Sequence, residues 1–412
     1  MTSSTMVKAI DSMPPHPLAG QMVPPTIFDR VTFDLFVPLV FVYQAPTPSN
    51  EKLAEGLCRA VAAYPQLAGR LAVDQRGRRC IHVNNEGVLV LETVVALELA
   101  KVFMDGSLEN IGAALLQIKL TRYMCGGLVL GVTFHYQVLD GTALDAFLAT
   151  WARAVRQGTD FTAPSPLFLL NRAPVPLGTP MFDHGSTEFN GGDPFAPTYC
   201  HMKTIKLKFT AEFIAELKAR VGIPCTRFQC LLAHMWKKTT EARGLKPEEF
   251  TKVRVAVNCK GRAEPPVPSD YVGNMVLWAF PRLQVRDVLS WTYGRVVCAI
   301  RDAVARVDAE YIRSSLEFGS LADVQGLELT ATAPAAGTVC CPDLEVDSWL
   351  GFGYHQVEFG GGPPSLFRIP DIPVEGIMVF VPQCMDEGGV DVYIAIAENQ
   401  VTTFQQICYS II

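Results

Sequence analysis

Between residues 158 and 203 the hydrophobic rhythm of the chain stops. The stretch carries seven prolines, at 164, 166, 174, 176, 180, 194 and 197, and Gly191-Gly192. Structureless segments this long are uncommon inside a compact domain, so it is read as a crossover between two domains. Length agrees. The chain has 412 residues, beyond the roughly 250–300 at which a single core stops growing. The division expected is residues 1–170, a linker over 171–203, and residues 204–412.

On either side the periodicities are clear. Val31 to Tyr43 reads as a strand interrupted by Pro38, and Ser49 offers an N-cap to a helix bearing Leu53, Leu57, Ala60, Val61 and Tyr64. Leu71-Ala72-Val73 and Cys80 to Val83 read as short paired strands. Leu115 to Tyr123 and Leu128 to Tyr136 are longer strands, and Leu144, Phe147, Leu148, Trp151 and Val155 mark a helix face. Past the break, Ile205 to Phe209 and Lys252 to Val257 read as strands, and Ala211 to Val221 and Arg227 to Arg243 as helices. An amphipathic helix over Val288 to Val307 follows, then turn and short strand over 326–341. Strands at Met378 to Pro382 and Val390 to Ala397 close the chain. Strands and helices mix without strict alternation, so the expected fold class is mixed α/β, each domain a mixed sheet with helices.

Composition narrows the function. Thirty-five basic against 41 acidic side chains give a formal charge of −6, which supplies no field for polyphosphate, so no nucleic-acid partner is expected. The apolar run Leu35 to Tyr43 is far shorter than the about 20 residues a membrane helix needs. Met1 to Ile10 lacks the pattern of a secretory leader, and the twelve cysteines show no C-x-x-C spacing. The expectation is a soluble cytoplasmic protein with reduced thiols and no membrane partner, and monomer is the simplest state. The histidines are scattered without H-x₃-H or H-E-x-x-H spacing, so no metal is expected.

The most informative stretch is Phe134-His135-Tyr136-Gln137-Val138-Leu139-Asp140-Gly141. A strand ends in polar residues, a glycine turns the chain, and a helix follows; such corners hold functional groups on rigid supports. Taken alone, the pattern is more often a buried tyrosine, a lone histidine and an Asx turn.

Other segments give it company. Glu358-Phe359-Gly360-Gly361-Gly362 lies near the C-terminus. Ile27-Phe28-Asp29-Arg30 and Tyr64 to Arg70 precede the corner, and Phe228 to His234, Asn258-Cys259-Lys260-Gly261-Arg262 and Gly273-Asn274 lie between the two. Together they resemble the plant BAHD family of CoA-dependent acyltransferases, whose signatures are H-H-x-x-x-D-G and D-F-G-W-G. The tracts Tyr271 to Trp278 and Phe359 to Gly362 resemble most the grass branch that acylates amines such as agmatine or tryptamine with hydroxycinnamoyl groups.

The resemblance implies a two-domain CoA-dependent acyltransferase fold with a tunnel between the domains, and acyl-CoA as co-substrate with no permanently bound cofactor. It also implies a histidine that deprotonates the acceptor amine or hydroxyl, and an aspartate that orients the loop. Asp140 and Gly141 match the motif, but the base position is Tyr136. His135 matches the first, usually non-catalytic, histidine, and on a strand it faces away from its neighbour. An unperturbed phenol is only about 0.1% ionised at pH 7, and loss of a general base costs about 10²–10⁴ in rate.

Within the second signature, Glu358 replaces an aspartate and is read as a structural partner of Lys260 or Arg262. Gly361 stands in place of tryptophan, leaving room there. His234, in an apolar helix, is read as a satisfied core histidine. Three functions remain open: an acyltransferase with an amine acceptor preferred over a hydroxyl, a catalytically silent acyl-CoA-binding protein, and a lyase using the same tunnel.

Overall fold

The computed structural model describes residues 2–10, 16–32, 34–75, 77–94, 113–168, 178–189, 201–268, 270–327, 329, 337–370, 372–384 and 387–411. Much of the linker expected at 171–203 lies outside these residues. The chain forms two compact units. The first comprises residues 1–174, 267–275 and 352–370, and the second 175–266, 276–351 and 371–412. The expected single C-terminal domain from 204 onward is thereby corrected: the segments 267–275 and 352–370, with the Glu358 to Gly362 signature, pack with the N-terminal part.

The first unit contains, in chain order, β1 (Thr2–Val7), β2 (Met22–Val23), α1 (Ile27–Arg30), β3 (Phe36–Tyr43), α2 (Asn50–Ala63), β4 (Arg70–Val73), β5 (Arg79–His82), β6 (Val88–Val94), β7 (Leu116–Arg122), β8 (Leu128–His135) and α3 (Gly141–Gln157). Its main sheet has the order β1-β6-β7-β8-β3, completed by the short strand Leu366–Arg368 against β3. A smaller sheet, β2-β5-β4, stands apart from it. Every residue of β8 is buried, as a central strand covered on both faces requires. Pro38 lies outside the stretch Val40 to Val42 that pairs with Leu366–Arg368, consistent with the edge position proline prefers. The strand expected from Val31 is shorter. Thr26 and Asp29 form a capping box that folds Ile27–Arg30 into a helical turn ending at Val31.

The second unit adds α4 (His184–Thr187), β9 (Met202–Phe209), α5 (Ala211–Val221), α6 (Arg227–Arg243), β10 (Phe250–Asn258), β11 (Val276–Ala279) and β12 (Arg282–Gln284). It continues with α7 (Val285–Ser290), α8 (Tyr293–Ala305), α9 (Ala309–Gln325), β13 (Leu344–Ser348), two strands, Ile377–Pro382 and Val390–Ala397, and a last helix, Val401–Ile407. The sheet runs from β11 through β10 and β13 to Ile377–Pro382, Val390–Ala397 and β9, with β12 also on β10. The helix expected over 288–307 is two helices, because the Thr292 hydroxyl accepts from Arg295 N at 3.4 Å and caps a new start. Among the described residues no helix is long and apolar enough to cross a membrane.

Candidate active site

Strand β8 delivers His135 and Tyr136 to a turn closed by Val138 N donating to the His135 carbonyl at 3.0 Å. Asp140 then caps α3, its Oδ1 accepting from Ala143 N at 2.8 Å. The corner read from the sequence therefore forms as strand, turn and helix.

The alternation of β8 separates its two candidates. His135 is fully buried, with Nε2 3.1 Å from Asp34 Oδ1 and the Phe36 ring edge-on at 5.0 Å. Asp34 in turn takes a bidentate pair from Arg79. Burial works to raise the Asp34 carboxyl, yet hydrogen bonds and charge from His135 and Arg79 hold it well below the usual carboxylate range. Burial lowers the His135 imidazole, opposed in part by Asp34. Tyr136 lies on the other face, its ring 6.3 Å from that of Phe134, two residues back on the same side. It is buried. Its N–H donates to the Leu35 carbonyl at 3.0 Å, and its carbonyl accepts from Asn274 Nδ2 at 3.0 Å.

Asn274 and Met275 reach this corner from far along the chain. Met275 N donates to Asp140 Oδ2 at 3.3 Å, so both carboxylate oxygens of Asp140 hold backbone. Asn274 Nδ2 also donates to Asp29 Oδ1 at 2.9 Å. The other oxygen of Asp29 accepts from Thr26 N and Oγ1, both at 2.7 Å. Burial pushes the Asp29 carboxyl up to about 6, against the hydrogen bonds from Thr26 and Asn274 and with a small contribution from the Asp140 charge. A carboxyl so perturbed beside the turn is a feature the sequence reading named only as part of a matching segment. Its signal was there, in the T-x-x-D box.

Gly141 has its own requirement. A Cβ there would stand 2.6 Å from Phe352 Cζ, so a side chain at the start of α3 would have to displace the Phe352 ring. Gly353 N donates to Asp145 Oδ1 at 2.9 Å and Tyr354 Oη to the Gly141 carbonyl at 3.0 Å, seating the segment on the helix.

The second signature extends that segment as a strap. Phe359 is buried, its ring 4.8 Å from Trp151 and 5.7 Å from Tyr43. Tyr43 Oη donates to the Val357 carbonyl at 2.9 Å, and Arg156 donates to the Glu358 carbonyl. Gly360 and Gly362 take φ of +117° and +99°, where side chains are strained. The expectation that Gly361 leaves room is overturned: its backbone lies directly on the Pro46 carbonyl. Arg262 is used inside the second unit, donating to the Val304 and Val307 carbonyls at 2.7 and 2.9 Å, at the end of α8.

Two buried histidines of the second unit have structural roles. His234 bonds Tyr293 Oη at 2.9 Å and the Cys408 carbonyl at 2.6 Å, as expected of a core residue. His184 links Glu188 Oε2 at 2.7 Å with Ser314 Oγ at 3.0 Å. That order of groups resembles a hydrolytic triad. All three are buried, however, and Ser314 Oγ already accepts from Met181 N and Phe182 N at 2.9 and 3.1 Å. The network fastens residues 181–188 to α9.

A model of the transferase family matches residues 1–410. The chain belongs to that family. Among its relatives, tryptamine benzoyltransferase 1 of rice (Oryza sativa subsp. japonica) is 53% identical over 100% of this chain and 97% of its own length. Agmatine coumaroyltransferase-1 of barley (Hordeum vulgare) is 33% identical over 95% and 94%. In fold, the transferase resembles the crystal structure of F. graminearum TRI101 complexed with coenzyme A and T-2 mycotoxin, with a TM-score of 0.76. That likeness is at 15% identity and covers 94% of this chain and 97% of the other. The resemblance carried by the His135 to Gly141 and Glu358 to Gly362 segments holds at the level of family and of the mixed α/β fold.

Proposed function

We propose that this transferase moves an aromatic acyl group, benzoyl or hydroxycinnamoyl, from its CoA thioester to a primary arylalkylamine of the tryptamine type. One observation carries the choice of amine over hydroxyl. The imidazole at the corner, His135, is buried and bound to Asp34, and Tyr136 takes the position next to the turn. A neutral amine is a nucleophile without prior deprotonation, whereas a hydroxyl needs a base. Relatives that act on tryptamine and agmatine by name support the same class of acceptor.

The reaction then balances without an imidazole. The nitrogen lone pair forms the C–N bond as the thioester π-pair moves to oxygen. The tetrahedral intermediate collapses, the C–S bond breaks, and its electron pair leaves on the CoA sulfur. One proton of the attacking nitrogen ends on that thiolate, giving an amide and free CoA. Positioning supplies the rate: well-oriented reactants lower a barrier by about 7–11 kcal/mol. In this reading Tyr136 orients the acceptor, and Asp140 holds the turn. Arg262 and Glu358 take no part in the chemistry.

Incubating the protein with benzoyl-CoA or coumaroyl-CoA and an amine panel, with mass spectrometry of the products, tests the reading. N-acyltryptamine and equimolar CoA are expected. Tight acyl-CoA binding without product would instead make the protein a silent binder, and elimination products would make it a lyase. Expected alongside are a cytoplasmic monomer and a place in specialised metabolism; cell fractionation and sedimentation check the first two.

A further inference from the structure

The entry to α6 carries two cysteines in positions that a helix start brings together. Thr226 is the N-cap, and its capping box is complete: Gln229 N donates to Thr226 Oγ1 at 3.1 Å, and Thr226 N to Gln229 Oε1 at 3.0 Å. Such a start fixes the angle of entry and sets the residue before the cap against the fourth residue of the helix. Apolar side chains usually fill that contact. Here the two residues are Cys225 and Cys230. The Cys230 thiol donates to the Arg227 carbonyl at 3.2 Å, so its sulfur points back towards the helix start. The Cys225 sulfur lies within hydrogen-bond reach of it. The pair differs in access: Cys225 is half-buried and Cys230 fully buried. Burial pushes the Cys230 thiol up to about 12, with Cys225 adding and Lys218 opposing. Cys230 therefore waits as a protonated thiol behind its more accessible neighbour.

We propose that Cys225 and Cys230 form a reversible oxidation site, with a hydroperoxide as oxidant and a disulfide across the α6 cap as product. The Cys225 sulfur attacks the peroxide O–O bond, keeps one oxygen as a sulfenic acid and releases an alcohol, or water when the oxidant is hydrogen peroxide. The Cys230 sulfur then attacks the oxidised sulfur. The S–O bond breaks, its electron pair leaves on hydroxide, and the Cys230 proton turns that hydroxide into water. Each sulfur gives up one electron and the peroxide gains both. An exposed thiol with a resolving thiol beside it is the arrangement that keeps cysteine oxidation reversible. The ring closed runs only from Cys225 to Cys230, over a cap whose own hydrogen bonds already hold the two ends together. A dithiol reopens it by exchange. Without Cys230, the sulfenic acid at Cys225 would be open to further oxidation to a sulfinic acid, which a dithiol does not reverse.

Trypsin separates the two sulfurs, because cleavage after Arg227 leaves Cys225 on the peptide Val221–Arg227 and Cys230 on Phe228–Lys237, each with a single cysteine. The test exposes the folded full chain to a small excess of hydrogen peroxide, then unfolds it in N-ethylmaleimide and maps the tryptic peptides by mass spectrometry. The two peptides should appear joined, two hydrogens lighter than their sum, and dithiothreitol before alkylation should return both as alkylated thiols. In Cys230→Ser, Cys225 should accumulate as sulfinic acid instead. Cys225 recovered from oxidised wild type as an alkylated thiol, as a sulfinic acid, or joined to any cysteine other than Cys230 would overturn the proposal. Equal sulfinic acid at Cys225 in wild type and Cys230→Ser would overturn it as well, since Cys230 would then protect nothing. Should the variant not fold, the wild-type map decides alone.

Discussion

A Cβ built on Gly361 would overlap the carbonyl oxygen of Pro46 and come within 3.0 Å of its carbonyl carbon. The position where relatives of this kind are expected to carry tryptophan is therefore closed by backbone. Gly361→Ala should destabilise the protein by about 3 kcal/mol, at the upper end of overpacking costs, and Gly361→Trp should fail to accumulate. Denaturant melts of the alanine variant check this; an unchanged midpoint would mean the strap moves freely.

Glu358→Gln makes a useful contrast. The strap uses the carbonyl of Glu358, which accepts from Arg156. The substitution should change stability by less than about 0.5 kcal/mol, as surface changes do. Arg156→Met, which removes the donor, should cost about 1–2 kcal/mol. The reverse ranking in thermal melts would return Glu358 to the role of an ion-pair member.

Tyr136→His tests the corner directly. An imidazole titrates near neutrality, and a positioned base is worth about 10²–10⁴ in rate. The gain should appear chiefly with a hydroxyl acceptor such as tryptophol, because an amine needs the base least. Steady-state rates with both acceptors decide, and a variant that binds benzoyl-CoA yet gains nothing with either would show that the missing imidazole is no handicap.

His234 predicts a pH dependence. Burial, with Lys238 and Lys237 adding and the Cys408 carbonyl opposing, brings its pKa down to about 4 from 6.5. As pH falls the unfolded chain takes the proton first. Stability that is whole above 6.5 is therefore lost down to about 4, and amounts to about 3 kcal/mol. Asp29, raised to about 6, acts with the opposite sign over pH 4–6, so the difference between wild type and His234→Gln isolates the histidine. That gap should narrow in favour of the variant by about 3 kcal/mol between pH 7 and 4, read from urea melts.

Ser314→Ala should cost about 2–4 kcal/mol, since Met181 N, Phe182 N and His184 each lose a buried partner. Turnover per folded molecule, and any hydrolysis of acyl-CoA, should be unchanged. A selective loss of thioester hydrolysis would make the His184 network catalytic after all.

What the sequence made legible follows from how each element is buried. Helices α5 and α6 match their expected bounds because each opens on a threonine cap and ends on a left-handed glycine, Gly222 or Gly244. Helix α9 was not foreseen, since its buried face is Ile312, Ser314, Ser315, Gly319 and Ala322, too small and polar to show a stripe. The corner at 135–141 was visible as a local pattern. The Asn274 to Asp29 bond was not, because 245 positions separate its partners and no local periodicity reports such a meeting. Gly361 was read as space for a similar reason: nothing in its own segment announces Pro46.

The strand Leu366–Arg368 covers β3, and Asn274 and Met275 complete the turn after β8. A ribosome that has made only the first 200 residues therefore holds an N-terminal unit with an open sheet edge and an unbraced corner. Translation must run almost to the end of the chain before the first unit closes. Its assembly is a late event, and a fragment cut at the crossover would carry the unfinished edge permanently, as a site for aggregation rather than for chemistry.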